Sequence, residues 1–431
     1  VPQIHSLKTE TKFKKTEIGD IPVDWQVLIY SDVSIVNPLY KIQKGAECAF
    51  VEMAAVNSDK PEVSYFKTRT FGESGGTRFK EGDTIFARIT PCAENGKTGL
   101  IKKLPTEFGL GSTEFIVLSP KQNKVDPRFL FYSTKQERVK NYAVARMRGT
   151  TGRQRVPNEV FTEELFLAIP PLSEQKKIAE ILSTVDEAIE KKKEVIEKTK
   201  EMKKGIMQEL LTRGIGHKKS KKTESGEIPV DWQVSRIKNH ALLITKGTTP
   251  TTYGHPYTEK GILFLRVENI GEDGELILDY IKYISEETHN FLSRSKLEPG
   301  DILFSIAGTL GRTALVPRRL LPANVNQAIA IIRLKETDLI RDYFRYALQS
   351  KDTTSQIKFM AAQLAQANLS LEQIGNLAFM LPPLPEQKNI AEILNSLYQE
   401  INKELQNLRN LENIKKGLMQ VLLTGKIRVL G

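Results

Sequence analysis

Two stretches of the chain carry apolar residues at steps of three and four. One series is Ile178, Leu182, Val185, Ile189, Ile196, Met202, Ile206 and Leu210. The other is Ile390, Leu394, Leu397, Ile401, Leu405, Leu408, Leu411, Ile414, Leu418 and Leu422. The period is near 3.5, which predicts two long helices with a coiled-coil seam. Each follows a proline stop, Pro170–Pro171 or Pro382–Pro383. Ser173 is expected to cap the first helix, and Pro385 suits the first turn of the second. At 1.5 Å per residue each would run about 57 Å. Lys193 and Thr199 are polar gaps in the first stripe where the second has Leu405 and Leu411. Facing leucines are expected to cover the stem of Lys193.

The remaining segments, 21–170 and 228–382, follow a different pattern. Short β-branched and aromatic runs, such as Thr84–Ile89, Thr113–Leu118, Ile262–Val267 and Ala328–Leu334, are divided by Gly, Pro, Asn and Asp. These are strand-and-turn signals. Helical patterns at Pro127–Ala143 and Asp338–Phe359 intervene, so each segment reads as α+β.

The two halves repeat. KKTEIGDIPVDWQV at Lys14–Val27 returns as KKTESGEIPVDWQV at Lys221–Val234. EQKKIAEIL at Glu174–Leu182 returns as EQKNIAEIL at Glu386–Leu394. KKGIMQELLT at Lys203–Thr212 returns as KKGLMQVLLT at Lys415–Thr424. Fainter echoes join Glu81–Phe86 to Pro299–Phe304, Phe50–Met53 to Phe264–Val267, and Phe115–Leu118 to Ala328–Ile332. The period, near 210 residues, is far too long for a solenoid and indicates duplication of a whole unit. The expected domains are 1–172, a helix at 173–212, a basic linker at 213–227, 228–384, and a helix with tail at 385–431. The first helix must carry the chain from one variable domain to the other. Packing the second back along it gives an antiparallel pair with a pseudo-two-fold axis. Gly431 then returns near the segment before Lys14.

Composition sharpens this. The net charge is +11 on 431 residues, which points to a polyanionic partner. The helical segments 174–211 and 386–424 are neutral, with nine and five groups of each sign. The excess lies in the first variable domain, the linker and the ends. No apolar run approaches the roughly 18–20 residues of a membrane span, and the start does not read as a signal peptide. Cys48 and Cys92 cannot form a disulfide framework, which suits a reducing cytoplasm and equally an exported protein without bridges, and the five histidines show no metal spacing.

The basic excess of the first domain clusters. Arg146, Arg148, Arg153 and Arg155 surround Gly149–Thr150–Thr151–Gly152, with Gln154 between two arginines. Forked guanidiniums suit phosphates and the guanine edge, and glutamine suits adenine. The corresponding QLAQAN of the second half offers amides instead: Gln363, Gln366 and Asn368. Arg88, Lys97, Lys246, Thr248, Thr249, Asn326 and Gln327 are further candidate DNA contacts. No catalytic or metal-binding set appears. Pro91–Thr98 misses the phosphate-loop pattern by its first glycine and lacks a following helix. Asn37–Pro38–Leu39–Tyr40 is one residue from a methyltransferase loop but has no cofactor loop upstream.

PPLxEQKxIAxIL, a long helix and KKGxMQxLLT, doubled around two variable domains, resemble the specificity subunit of type I restriction–modification systems. GTTGRQRV before Pro157 and NLSLEQI at Asn368–Ile374 resemble the ends of that family's target-recognition domains. The resemblance implies a cytoplasmic, non-catalytic, sequence-specific DNA-binding chain. Each variable domain would read half of a bipartite asymmetric site on double-stranded DNA. The helices would set the spacing and dock two methyltransferase subunits, with two restriction/translocase subunits as a further addition. No cofactor is expected in this chain; S-adenosylmethionine, ATP and magnesium would belong to partners. The rival readings are a coiled-coil scaffold without DNA and a solitary DNA-modifying enzyme.

Overall fold

The structure is a computed structural model and describes residues 7–73, 75–223, 226–335, 339–363 and 368–429. It divides into two compact units, residues 1–195 with 405–431, and residues 196–404. Both unit boundaries fall inside the long helices, Leu172–Thr212 and Leu384–Leu422. Ser173 therefore sits inside the first turn, because the helix starts one residue earlier than expected.

In each unit the repeated opening motif builds the same local structure. In the first, Phe13–Thr16 pairs with Gly19–Pro22. In the second, Ser220–Thr223 pairs with Gly226–Pro229. Gly19 and Gly226 have φ near +103° and +102°, which an L side chain adopts only with strain. The next strand, Gln26–Ile29 or Gln233–Arg236, pairs with Phe166–Ile169 or Ala378–Leu381, just ahead of a long helix. Trp25 and Trp232 are fully buried between them.

The first unit then forms a four-stranded antiparallel sheet in the order Ser34–Val36, Phe115–Pro120, Thr84–Ala87, Thr98–Leu100. A second sheet pairs Glu47–Val51 parallel to Gly109–Gly111, with Lys67–Thr70 and Thr77–Phe79 outside them. The second unit repeats this topology. Its first sheet runs Ala241–Lys246, Ile329–Leu334, Ile302–Ser305, Thr313–Leu315, and its second pairs Ile262–Leu265 parallel to Ala323–Val325 beside Lys282–Ile284. The fainter sequence echoes are thus equivalent strands. Even the turns match. Asp83 and Asp301 each accept the backbone N–H three residues upstream, after a glycine of positive φ.

Each helix expected near 127–143 and 338–359 is two helices. Pro127–Thr134 and Glu137–Ala145 break at Lys135–Gln136, and Arg341–Leu348 and Lys351–Ala362 break at Gln349–Ser350. Gln136 and Ser350 are extended N-caps, and Ser350 also accepts the Thr353 N–H, so a new helix starts there. Asp338 lies outside the described residues.

The start of one long helix and the end of the other share each core. Ile178 and Leu182 join Leu418 and Leu422 in the first unit, and Ile390 and Leu394 join Ile206 and Leu210 in the second. The contacts run in opposite directions. Glu174 meets Arg428 while Asp186 meets Lys415, and Glu386 meets Ile215 while Tyr398 meets Lys203. The apolar stripe fails at one repeated position. Met202 and Ile414 are half exposed, and the adjacent Lys203 and Lys415 turn inward. Each lysine has a partner there: Lys415 pairs with Asp186, while Lys203 pairs with Asp273 and lies over the Tyr398 ring. The Lys193 ammonium also finds charge, bonding Asp59 at 3.1 Å. Leu7–Thr9 pairs with Ile427–Val429, so the segment before Lys14 meets the tail as expected, though Gly431 itself lies outside the described residues. Among the described residues, no helix is long and apolar enough to cross a membrane.

Candidate nucleic-acid interface

One end of the four-stranded sheet gathers most candidate residues of the first unit. Arg88 follows the strand Thr84–Ala87, Lys97 precedes Thr98–Leu100, and Glu114 precedes Phe115–Pro120. The arginine loop is tied to this end. Val156 N–H donates to the Arg88 carbonyl at 2.8 Å, and Thr90 N–H to that of Gln154 at 3.0 Å. Arg148 and Arg155 bridge antiparallel across the Gly/Thr tip, so the loop is a small hairpin rather than a free tether.

The side chains there divide into held and free. The Arg155 guanidinium is gripped by the Glu114 carboxylate through Nε and Nη2, at 2.8–3.1 Å, and that bond strengthens its hold on its proton. Arg88 is half-buried and its Nε has no hydrogen-bond partner among the described residues; burial works against its charge. Lys97 donates to the Met53 carbonyl at 3.2 Å. Arg146 faces elsewhere, against Glu164 and the Tyr142 ring. Arg148, Thr150, Thr151 and Arg153 are exposed at the tip, with Gln154 half-buried behind them. The loop therefore presents Arg148 and Arg153 outward, with Arg155 oriented by Glu114.

The equivalent end in the second unit is built by the same rules. Leu369 N–H donates to the Ile306 carbonyl at 3.0 Å and Asn368 bridges Ala307, as Val156 and Arg155 do with Arg88 and Ile89. Lys246 ends the edge strand, and Gly247 and Thr248 bond to the Ile329 and Val325 carbonyls, beside Asn326 and Gln327. A Cβ on Gly247 would meet the Val325 and Asn326 carbonyl oxygens at 2.1 Å, so only glycine fits that turn. Arg294, absent from the sequence-level candidates, donates to Thr248 Oγ1 at 3.0 Å. Thr249 starts the turn Pro250–Tyr253. Asn326 Oδ1 is buried without a hydrogen-bond partner among the described residues. Gln363 is exposed and caps the helix Lys351–Ala362, and Gln366 lies outside the described residues.

The rejected motifs prove structural. In Pro91–Thr98 the amides of Ala93, Asn95, Gly96 and Lys97 close local turns and leave no phosphate cradle. Asn37, at φ +50°, pairs with the Val117 backbone and the Asn158 side chain. The repeated motifs also meet at sites that sequence reasoning missed. Trp25 Nε1 donates to Glu174 at 3.1 Å, and Trp232 Nε1 to Glu386 at 2.8 Å. Arg428 then binds Glu174, Asp24 and Glu10, whereas His217 binds Glu386 and lies 3.4 Å from Asp231. His217, Asp231 and Glu386 are metal-type ligands lying close together, but Glu386 already accepts from Trp232, Ile215 and His217. The triad therefore reads as a clamp equivalent to that of Arg428.

Comparison with known proteins agrees with this doubled architecture. The putative type I restriction enzyme MjaX specificity subunit of Methanocaldococcus jannaschii is 28% identical over 97% of both chains. The MjaVIII specificity subunit of the same organism is also 28% identical over 97% of both. The S subunit of a type I system from M. genitalium shares the fold, with a TM-score of 0.54 and 16% identity over 96% of this chain and 99% of its own. The model of the type I restriction modification DNA specificity domain matches twice, at residues 22–198 and 229–410. With both halves matched, the chain belongs to the type I restriction–modification DNA specificity family.

Proposed function

We propose that this chain, a non-catalytic specificity subunit, reads a bipartite asymmetric site on double-stranded DNA, one half with each unit. The observation that carries this is the repeated sheet end, where the same backbone frame presents different side chains. In the first unit these are Arg148, Arg153 and Arg155 with Glu114; in the second they are Lys246, Thr248, Arg294 and Asn368, with Asn326 behind them. Exposed guanidiniums fit phosphates and guanine, and amides fit adenine or phosphate, so the two ends have different preferences. The long helices act as the antiparallel coiled-coil spacer between the half-sites and the dock for two methyltransferase subunits, with two restriction/translocase subunits joining them. S-adenosylmethionine, ATP and magnesium enter through those cytoplasmic partners. The domain limits proposed from sequence, 1–172, 173–212, 213–227, 228–384 and 385–431, serve this division of labour.

The test is methylation sequencing in a host carrying this chain and its methyltransferase partner. A two-part motif is expected. Arg153→Ala should relax it at one half only, since the Arg153 side chain is exposed at the loop tip and the substitution keeps its backbone bonds to Thr150 and Arg155. Equal loss at both halves, or a continuous motif, would overturn the reading.

A further inference from the structure

The second unit exposes two large rings side by side. Tyr253 is 58% and Phe291 53% exposed, and their centroids are 5.6 Å apart. His255 lies 4.7 Å from Phe291 and holds Thr288 Oγ1 at 3.3 Å. Single exposed apolar residues are ordinary, but two rings in contact, tilted 60° to each other, make a patch that water disfavours. This pair is also rigidly mounted. Tyr253 closes the turn Pro250–Tyr253, which Gly254 ends at φ +80°, and Phe291 ends the helix Glu286–Phe291. Asn324 fixes that helix, bonding His289 and the Leu292 carbonyl.

The patch continues the candidate interface. The turn bearing Tyr253 begins directly after Thr249, and Arg294, three residues beyond Phe291, bonds Thr248. Two cations are held close by: Arg294 on Thr248, next to that turn, and Lys296 on Asn290, the residue before Phe291. The carboxylates of Glu286 and Glu287 lie at the opposite end of the short helix. Cations bordering an apolar surface match DNA, whose phosphates flank thymine methyls in the duplex groove and a base face wherever a base is unstacked. A nearly balanced domain, with 17 basic and 16 acidic groups at 228–385, also needs affinity that charge does not supply.

We propose that Tyr253 and Phe291 make an apolar contact with the bases of the half-site read by the second unit. This rests on the DNA-reading function proposed above. The shared chemistry is an apolar base surface, either a thymine methyl or an unstacked base face. Such a contact adds affinity without releasing counterions, in contrast to the first unit's arginines.

The test uses the full chain assembled with its methyltransferase partner and its methylated-motif duplex, measuring Kd across a potassium chloride series. Phe291→Ala and Tyr253→Ala should each weaken binding about tenfold at every salt concentration, leaving the slope of log K against log salt unchanged. Phe291→Leu should recover part of the loss. Uracil in place of thymine should mimic the loss if the methyl is the contact, and leave affinity intact if the base face is. Kd within twofold of the parent, a changed slope, or a loss confined to assembly with the methyltransferase would overturn the inference. Arg153→Ala on the same duplex keeps the two readings separate. If it weakens binding while the ring variants do not, the DNA-reading function stands and this contact falls.

Discussion

The two units solve one structural problem with different side chains, an arginine in the first and a histidine in the second. Each buries a tryptophan against the glutamate that opens a long helix. In the first unit Arg428 completes the lock, 5% exposed at its side chain and shared by Glu174, Asp24 and Glu10. In the second His217 takes that place, with Glu386 and Asp231 around it. The arginine comes from the chain's last strand and the histidine from the linker. The two copies thus keep the glutamate and the tryptophan and differ in the side chain that completes the lock.

The largest test of this difference is Arg428→Met. It strands Glu174, which is 3% exposed, without its cation and should cost the first unit about 3–5 kcal/mol. Native-state hydrogen exchange should show lost protection in the first unit alone; uniform loss would mean the two locks are not independent. His217→Gln should be milder, about 1–3 kcal/mol in the second unit, because Glu386 keeps Trp232 and the Ile215 amide. A larger loss than for Arg428→Met would reverse the ranking.

The smallest effect depends on pH. Lys135 caps the helix Pro127–Thr134 and donates to the Ser58 and Gly96 carbonyls. Burial, with Lys415 nearby, pushes its pKa down from 10.5 to about 8, against the pull of Asp186 and Asp59. The unfolded chain therefore binds more protons between these values. The penalty is complete below pH 8, and stability rises as pH climbs from about 8 toward 10.5. We expect a gain of about 1 kcal/mol in the first unit by pH 9, which Lys135→Met should abolish in pH-dependent denaturant titrations. The equivalent position in the second unit is Gln349, which does not titrate.

The repeated frame was legible because each of its parts is local. A glycine turn, a buried tryptophan, a proline stop and a helical stripe each leave a short pattern. The arginine loop was legible as a cluster of one residue type, and its tether beside Arg88 follows the strand order. Glu114, Arg294 and the paired rings were not legible, because each acts only through a neighbour distant in sequence: Arg155 from Glu114, Thr248 from Arg294, and Tyr253 from Phe291. Met202 and Ile414 misled for the same reason. Their helical phase reads as buried, but the charged partners that draw Lys203 and Lys415 inward cannot be read from that phase.

The buried indoles carry one more consequence. The chain has two tryptophans, one in each unit, each bonded through Nε1 to a carboxylate. They are a matched pair of intrinsic fluorophores. Trp25→Phe silences one and Trp232→Phe the other, so the emission that remains reports a single unit optically, without any added label.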